Sequence, residues 1–315
     1  MITPQDILSA QQRISPYIRN TPIEFSDALK SELGISVNFK LENLQVSGSF
    51  KPRGGFNKIL KNRSSEFVAP TAGGHGVGLS YAANKLGAKV HILMPKSADS
   101  DRIRDVEANG ATIQFFDSVP EARARAKELE TTNNYVFVSA FNDAEMIAGG
   151  GTIAIELLEQ LPNIDCLVCG VGGGGYIAGM GILLKAVNPG IKIYGVQQEN
   201  APFLAEWFNS KTYPKDMHIK PSIAEGIGAE VEADSITWPY VEQLVDGFFV
   251  VSEEEIKESL IWLLRNHKHY VEPSAVVGLA AIRKNPAHFQ SFQSICTVLT
   301  GRNMSYEKFQ SILAK

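Results

Sequence analysis

Cysteine is scarce in this chain: there are three in 315 residues, with no spacing that pairs them. A disulfide framework is therefore not expected, and a reducing, cytoplasmic setting is. Cys166 and Cys169 have CxxC spacing but lie inside the apolar run 164–171, which reads as a buried strand. Residues i and i+3 of a strand face opposite ways, and no second CxxC or histidine pair accompanies them, so a redox or zinc site is set aside. No apolar run approaches the ~20 residues of a membrane span. The opening Met1–Asp6 has no basic stretch leading into an apolar core, so no signal peptide is expected. Net charge is small, −4, and gives no reason to expect nucleic acid or a membrane surface as partner. Internal repeats, low-complexity tracts and long linkers are missing too.

What the chain does have is alternation. Apolar runs at 67–69, 89–94, 112–116, 135–138, 166–169, 191–196 and 295–299 are separated by amphipathic stretches such as 78–86, 101–109, 120–130 and 253–264. That order predicts an α/β fold of mostly parallel sheets flanked by helices. Ser252 before three glutamates is an N-cap with an acidic first turn, and Gly87 and Gly110 each close a helix. The length allows one large or two ordinary domains.

Chemistry concentrates at two places. Lys51 sits in the run 45–54 (QVSGSFKPRG), where a small Ser-Gly-Ser turn delivers one lysine among aromatic, cationic and glycine neighbours. A lysine desolvated there has a lowered pKa, the condition for nucleophilic or basic work near neutral pH. Far downstream, Gly172, Gly173, Gly174 and Gly175 follow an apolar run and precede a helical pattern, an arrangement that cradles a phosphate at a helix N-terminus. An amine for an imine link and a cradle for an anion are together what pyridoxal 5'-phosphate requires.

Seven ordered motifs carry a wider resemblance: 40–45 (KLENLQ), the lysine run, 71–75 (TAGGH), the tetraglycine loop, 222–226 (SIAEG), 271–273 (VEP) and 299–303 (LTGRN). With them the chain resembles, over nearly its whole length, the fold-type II pyridoxal-phosphate enzymes, in particular the serine/threonine dehydratase and serine racemase branch. The resemblance implies a two-domain, tryptophan synthase β-like fold: a large cofactor-binding domain from 1–60 and 145–315, and a small αβ domain inserted at 61–144. A C-terminal regulatory domain is not expected, and a homodimer is.

By the same resemblance Lys51 carries the cofactor and removes the substrate α-proton, Phe50 packs beside the ring, and the four glycines bind the phosphate. Thr71, Ala72, Gly73 and His75 hold the substrate carboxylate, with capping or gap filling the other reading of His75. Thr300 faces the ring nitrogen, and the backbone of Gly226 approaches the cofactor. A neutral threonine cannot hold that nitrogen protonated, which suits loss of a β-leaving group. Ala72 stands where racemases carry a second catalytic serine, and alanine cannot move a proton. Gly74 replaces an asparagine that supports the ring 3-oxygen, so that support is absent or comes from water or another residue.

Gln197 and Phe203 stand where acidic cation ligands are expected, so no metal site is predicted, with Glu199 a displaced substitute. Arg302 reads as solvent-facing, Glu272 as structural or near the ring nitrogen, and Arg53 as either an interdomain ion pair or a functional group. The expected activity is a dehydratase (ammonia-lyase) acting on a small β-hydroxy amino acid, giving a 2-oxo acid and ammonium. The alternatives are a serine racemase or a cofactor-binding protein with little turnover.

Overall fold

The computed structural model describes residues 1–62, 66–228 and 230–314. Its ten strands are β1 (Ile23–Phe25), β2 (Val37–Lys40), β3 (Glu66–Pro70), β4 (Lys89–Pro95), β5 (Thr112–Phe116), β6 (Val136–Phe137), β7 (Cys166–Gly170), β8 (Lys192–Gln198), β9 (Gly247–Val251) and β10 (Ile295–Val298). They form a six-stranded sheet in the order β1-β2-β10-β7-β8-β9 and a four-stranded sheet in the order β5-β4-β3-β6. Every pairing is parallel except that of β1 with β2. Parallel sheets need both faces covered by crossover helices, and the central strand β7 (CLVCG) is accordingly buried at every position.

The C-terminal β10 lies between β2 and β7, so the larger sheet is woven from both ends of the chain, while the smaller uses only strands from the stretch between. Three strands, β1, β2 and β9, were not anticipated from the sequence. In β2 the reason is electrostatic. Lys40 makes that run look polar, yet its ammonium is fully buried against Glu156 at 2.6 Å. The run 135–138 shortens to the two residues of β6.

Helix ends follow local chemistry. The helix Glu253–His267 starts with a capping box between Ser252 and Glu255, and the helix Gly74–Leu86 stops at Gly87 with φ 68°. The latter begins a turn before the expected 78 because its glycines serve packing. A Cβ on Gly78 would come within 2.7 Å of the Lys51 Cβ, so the helix can lie directly on the lysine only where it has no side chain. Close approach also governs the helix Ala144–Gln160, where a Cβ on Gly149 would meet the carbonyl oxygen of Arg53 at 2.5 Å. No helix among the described residues is long and apolar enough to cross a membrane.

Candidate active site

Loops that follow the carboxyl ends of parallel strands are where α/β sheets bind ligands. Here the loop after β7 carries Gly172–Gly175, the loop after β3 carries Thr71–Gly73, and the segment after β10 carries Thr300. They converge on one cavity of about 800 Å³ between the two sheets. All thirteen residues predicted from sequence line it: Phe50, Lys51, Thr71, Ala72, Gly73, Gly74, His75, the four glycines 172–175, Gly226 and Thr300. A second depression, about 590 Å³, is lined by Glu199, Glu206 and Lys220 among others and contains none of them.

Lys51 is the first residue of the helix Lys51–Lys61, with Pro52 following where a missing N–H costs nothing. It is the one lysine lining the cavity among the described residues. Burial lowers its pKa to about 8 against the opposing pull of Glu272, and its Nζ lies 4.8 Å from the centre of the Phe50 ring. Phe50 in turn tilts against Tyr176, ring centres 4.8 Å apart.

The lysine segment is tied to the C-terminal loop. Ser49 and Gly301 form an isolated antiparallel bridge, and Arg302 N–H donates to the Gly48 carbonyl at 2.9 Å. Arg302 itself is exposed, in keeping with its solvent-facing reading.

The helix Gly175–Val187 opens directly after the tetraglycine loop, so its unsatisfied first-turn N–H groups and positive dipole end are presented there. Glycine is required in that loop for separate reasons. Gly174 has φ 84°, and a Cβ on Gly173 would sit 2.1 Å from the Phe141 ring. The loop is further held by Thr237, whose hydroxyl donates to the Gly173 carbonyl at 2.8 Å. Gln197 gives its side-chain N–H to the Val171 carbonyl at 3.0 Å and accepts from the Ala205 N–H at 2.8 Å. Its neighbour in the expected cation position, Phe203, is core, and Glu199 accepts from the Glu253 N–H at 3.1 Å.

At the opposite wall, Thr71 Oγ1 accepts from the Gly73 N–H at 3.0 Å, and a Cβ on Gly73 would meet open space. His75 is buried with Nε2 3.4 Å from the Val138 carbonyl oxygen, an atom that only accepts, so Nε2 carries the hydrogen. Burial first, and the Lys51 charge second, push its pKa down to about 3, leaving a neutral ring.

Two residues of this site escaped sequence reasoning. Arg102, on the small-sheet helix Ser100–Ala108, donates to the Asn303 carbonyl at 2.8 Å and the Ala72 carbonyl at 3.4 Å. It also pairs with Glu225 and Glu272, both at 3.2 Å. Burial pushes the Glu272 carboxyl up while Arg102 pulls it down. Ser274 accepts from the Gly226 N–H at 2.9 Å, so that backbone group is already engaged. No local pattern marks Arg102; its partners come from four distant segments.

Arg53 is an ion-pair residue and does not line the cavity. It is fully buried and bidentate to Glu42 at 2.8 and 2.7 Å, with Glu156 of the helix Ala144–Gln160 at 2.7 Å. Cys166 and Cys169 are buried free thiols, and burial pushes Cys169 up to about 12.

The residues fit pyridoxal phosphate. A lysine with a lowered pKa shares a cavity with a glycine cradle whose conformation and packing exclude side chains, and buried polar atoms of Ser49 and His75 stand without partners in the same lining. Comparison with known proteins decides the matter: the model for "Pyridoxal-phosphate dependent enzyme" matches residues 14–301. The chain belongs to this family.

Among its relatives is the L-threonine ammonia-lyase of Thermotoga maritima, 34% identical over 100% of this chain and 79% of that one. The serine racemase of Homo sapiens is 34% identical over 95% of this chain and 90% of its own. The solved structure of maize serine racemase superposes with a TM-score of 0.91 at 29% identity, covering 99% and 97%. The protein is a fold-type II pyridoxal-phosphate enzyme of the serine/threonine dehydratase and racemase family, with the α/β architecture that family implies.

Proposed function

We propose that this protein is a dehydratase that eliminates water from a small β-hydroxy amino acid such as serine or threonine, releasing a 2-oxo acid and ammonium. The observation that carries it is Ala72. It lines the cavity in the loop that opens the helix Gly74–Leu86, and its methyl group offers no proton. Neighbouring His75 does not replace it, because its ring is neutral with Nε2 engaged. Position 72 therefore offers no partner to Lys51, and reversing configuration at the α-carbon takes a second group on the opposite face.

In this reading Lys51 Nζ holds the cofactor and, once displaced, takes the α-proton. A pKa of about 8 leaves a useful fraction of neutral amine near neutral pH. The Gly172–Gly175 backbone and the helix it opens bind the phosphate. Thr71, Gly73 and the N-terminus of the helix Gly74–Leu86 take the substrate carboxylate, and Phe50 and Thr300 orient the ring. When bound, the cofactor supplies an electron sink for charge developing at the α-carbon. Arg102 joins the substrate loop to Glu272 and Asn303. The division into 1–60 with 145–315 and an inserted 61–144, a cytoplasmic setting and a homodimer belong to the same proposal, the last checked by light scattering in solution.

The test is to incubate the protein with L-serine and L-threonine separately, measuring 2-oxo acid and D-enantiomer together. Elimination is expected to exceed racemisation, and Ala72→Ser to raise the racemised share. Racemisation equal to or faster than elimination in the unaltered protein overturns the dehydratase reading in favour of a racemase. Bound cofactor with neither product points to a binding protein.

A further inference from the structure

Two buried polar atoms at this cavity, Ser49 Oγ and His75 Nδ1, have no hydrogen-bond partner, and neither has a third beside Gly74, Asn303 Nδ2. Leaving a buried polar group unpaired is costly, so a cluster of them calls for a partner that completes it. Two of the three flank a single gap. A Cβ built on Gly74 would lie 3.7 Å from Asn303 Nδ2 and 3.9 Å from Ser49 Oγ, with nothing nearer. Both residues are more than nine-tenths buried, at 9% and 3% exposure. The gap therefore exists because residue 74 has no side chain, and it is edged by an amide N–H and a hydroxyl, both able to donate.

Its position relative to Lys51 follows from the helix Gly74–Leu86. Gly78 rests on the Lys51 Cβ, and Gly74 is one turn earlier on the same face. Ser49 is two residues before the lysine. A ligand joined to Lys51 through its aldehyde carbon thus presents a neighbouring ring substituent toward this gap. In pyridoxal phosphate the aldehyde is flanked by the phenolic oxygen and by the phosphate-bearing methylene. With the phosphate assigned to the Gly172–Gly175 loop, the substituent left for this gap is the phenolic oxygen, which carries negative charge when ionised and takes donors. His75 is excluded from the role, since its Nε2 holds the hydrogen and Nδ1 is an acceptor.

Resting on the cofactor assignment above, we propose that Asn303 Nδ2, assisted by Ser49 Oγ, supplies the hydrogen bond to the cofactor's phenolic oxygen that Gly74 has no side chain to give. The support is displaced from the loop after β3 to the segment after β10. Asn303 is fit to hold it. Its carbonyl takes the Arg102 Nε–H at 2.8 Å, and the preceding Arg302 N–H is fastened to Gly48, so the backbone beneath the amide is fixed on both sides. Asn303 is a positioning residue in this account, and Arg102 orders it from the small sheet.

The experiment uses the purified protein stripped of cofactor and titrated with pyridoxal phosphate, reading both the dissociation constant and the visible absorption of the bound form. The absorption reports the share of ionised ring oxygen. Asn303→Asp and Asn303→Ala are expected to weaken binding about tenfold to a hundredfold, the range for a hydrogen bond to a charged acceptor, and to shift absorption toward the band of the neutral oxygen. Adding Gly74→Asn to Asn303→Ala is expected to restore both. Gly74→Asn alone, whose Cβ makes only ordinary contacts there, is expected to change binding less than about threefold, because the oxygen already has its donor.

Unaltered binding and absorption in both Asn303 variants overturns the inference. So does a tenfold tightening by Gly74→Asn alone, a result that stands even if the Asn303 variants fail to fold. An unaltered protein that takes up no cofactor overturns the site assignment itself, and this inference with it.

Discussion

Phe50 gives its backbone N–H to the carbonyl oxygen of Thr300 at 3.1 Å. Two segments near opposite ends of the chain are thereby held together, and Lys51 follows Phe50 directly. With the Ser49–Gly301 bridge, the contact sets the lysine against the segment that carries Thr300 and Asn303, as the sheet order demands. Because β10 lies beside β2, the turn after β10 and the turns leading from β2 to the lysine emerge at one end of the larger sheet.

The lysine assignment has a direct chemical check. Borohydride reduction of the cofactor-loaded protein, followed by peptide mapping, is expected to find the pyridoxyl label on Lys51, and Lys51→Ala is expected to abolish it. Label on another lysine removes the basis of the whole site. The pH dependence follows from a pKa lowered to about 8: attack on the cofactor aldehyde needs the neutral amine, which is the minor form below that pH and the major form above it. Cofactor uptake by the stripped protein, followed by absorbance, is expected to accelerate as pH rises through about 8 and then level off. A rate that keeps climbing toward pH 10 assigns the amine an ordinary lysine pKa.

Arg53→Leu separates fold from chemistry. It leaves Glu42 fully buried and without its bidentate partner, and breaking a buried pair from one side costs about 3–5 kcal/mol. Urea unfolding should show a loss of that size. Arg53 does not line the cavity, so the visible absorption of whatever folded, loaded protein remains should match that of the unaltered protein. An altered spectrum at native stability reverses the assignment.

Chelation tests the neighbourhood of the tetraglycine loop. The Gln197 amide is satisfied on both sides, by Val171 and by Ala205, and Phe203 fills the adjacent space. Neither side chain offers a charged oxygen to a hard cation. Treatment with a strong chelator is therefore expected to leave turnover and melting temperature nearly unchanged. A large loss restored by magnesium or calcium means that other oxygens, Glu199 first among them, have built a cation site.

Much of this molecule was legible in the order of its residues. Runs of Val, Ile, Leu and Cys long enough for a strand, closed by glycine and alternating with helical patterns, dictate parallel α/β layers, because burial on both faces leaves few other arrangements. Lys51 and the four glycines could be singled out because their chemistry is local: an amine beside small residues, and backbone N–H groups at a helix start. Thr300 and the 71–75 loop were instead singled out by the family resemblance. What remained hidden depends on contacts between distant segments. Lys40 and Arg53 look like surface charges until Glu42 and Glu156 are brought to them, and Arg102 has no meaning until Ala72, Glu272 and Asn303 surround it. Gly74 reads only as a missing side chain in one dimension. In three it is a gap faced by unpaired donors of Ser49 and Asn303, since packing of the helix Gly74–Leu86 on Lys51 decides which atoms border that space. Sequence determines which groups a chain carries and which elements they form. The partners of a buried charge or an orphaned amide are set by tertiary packing, where removal from water makes each unpaired group costly enough to matter.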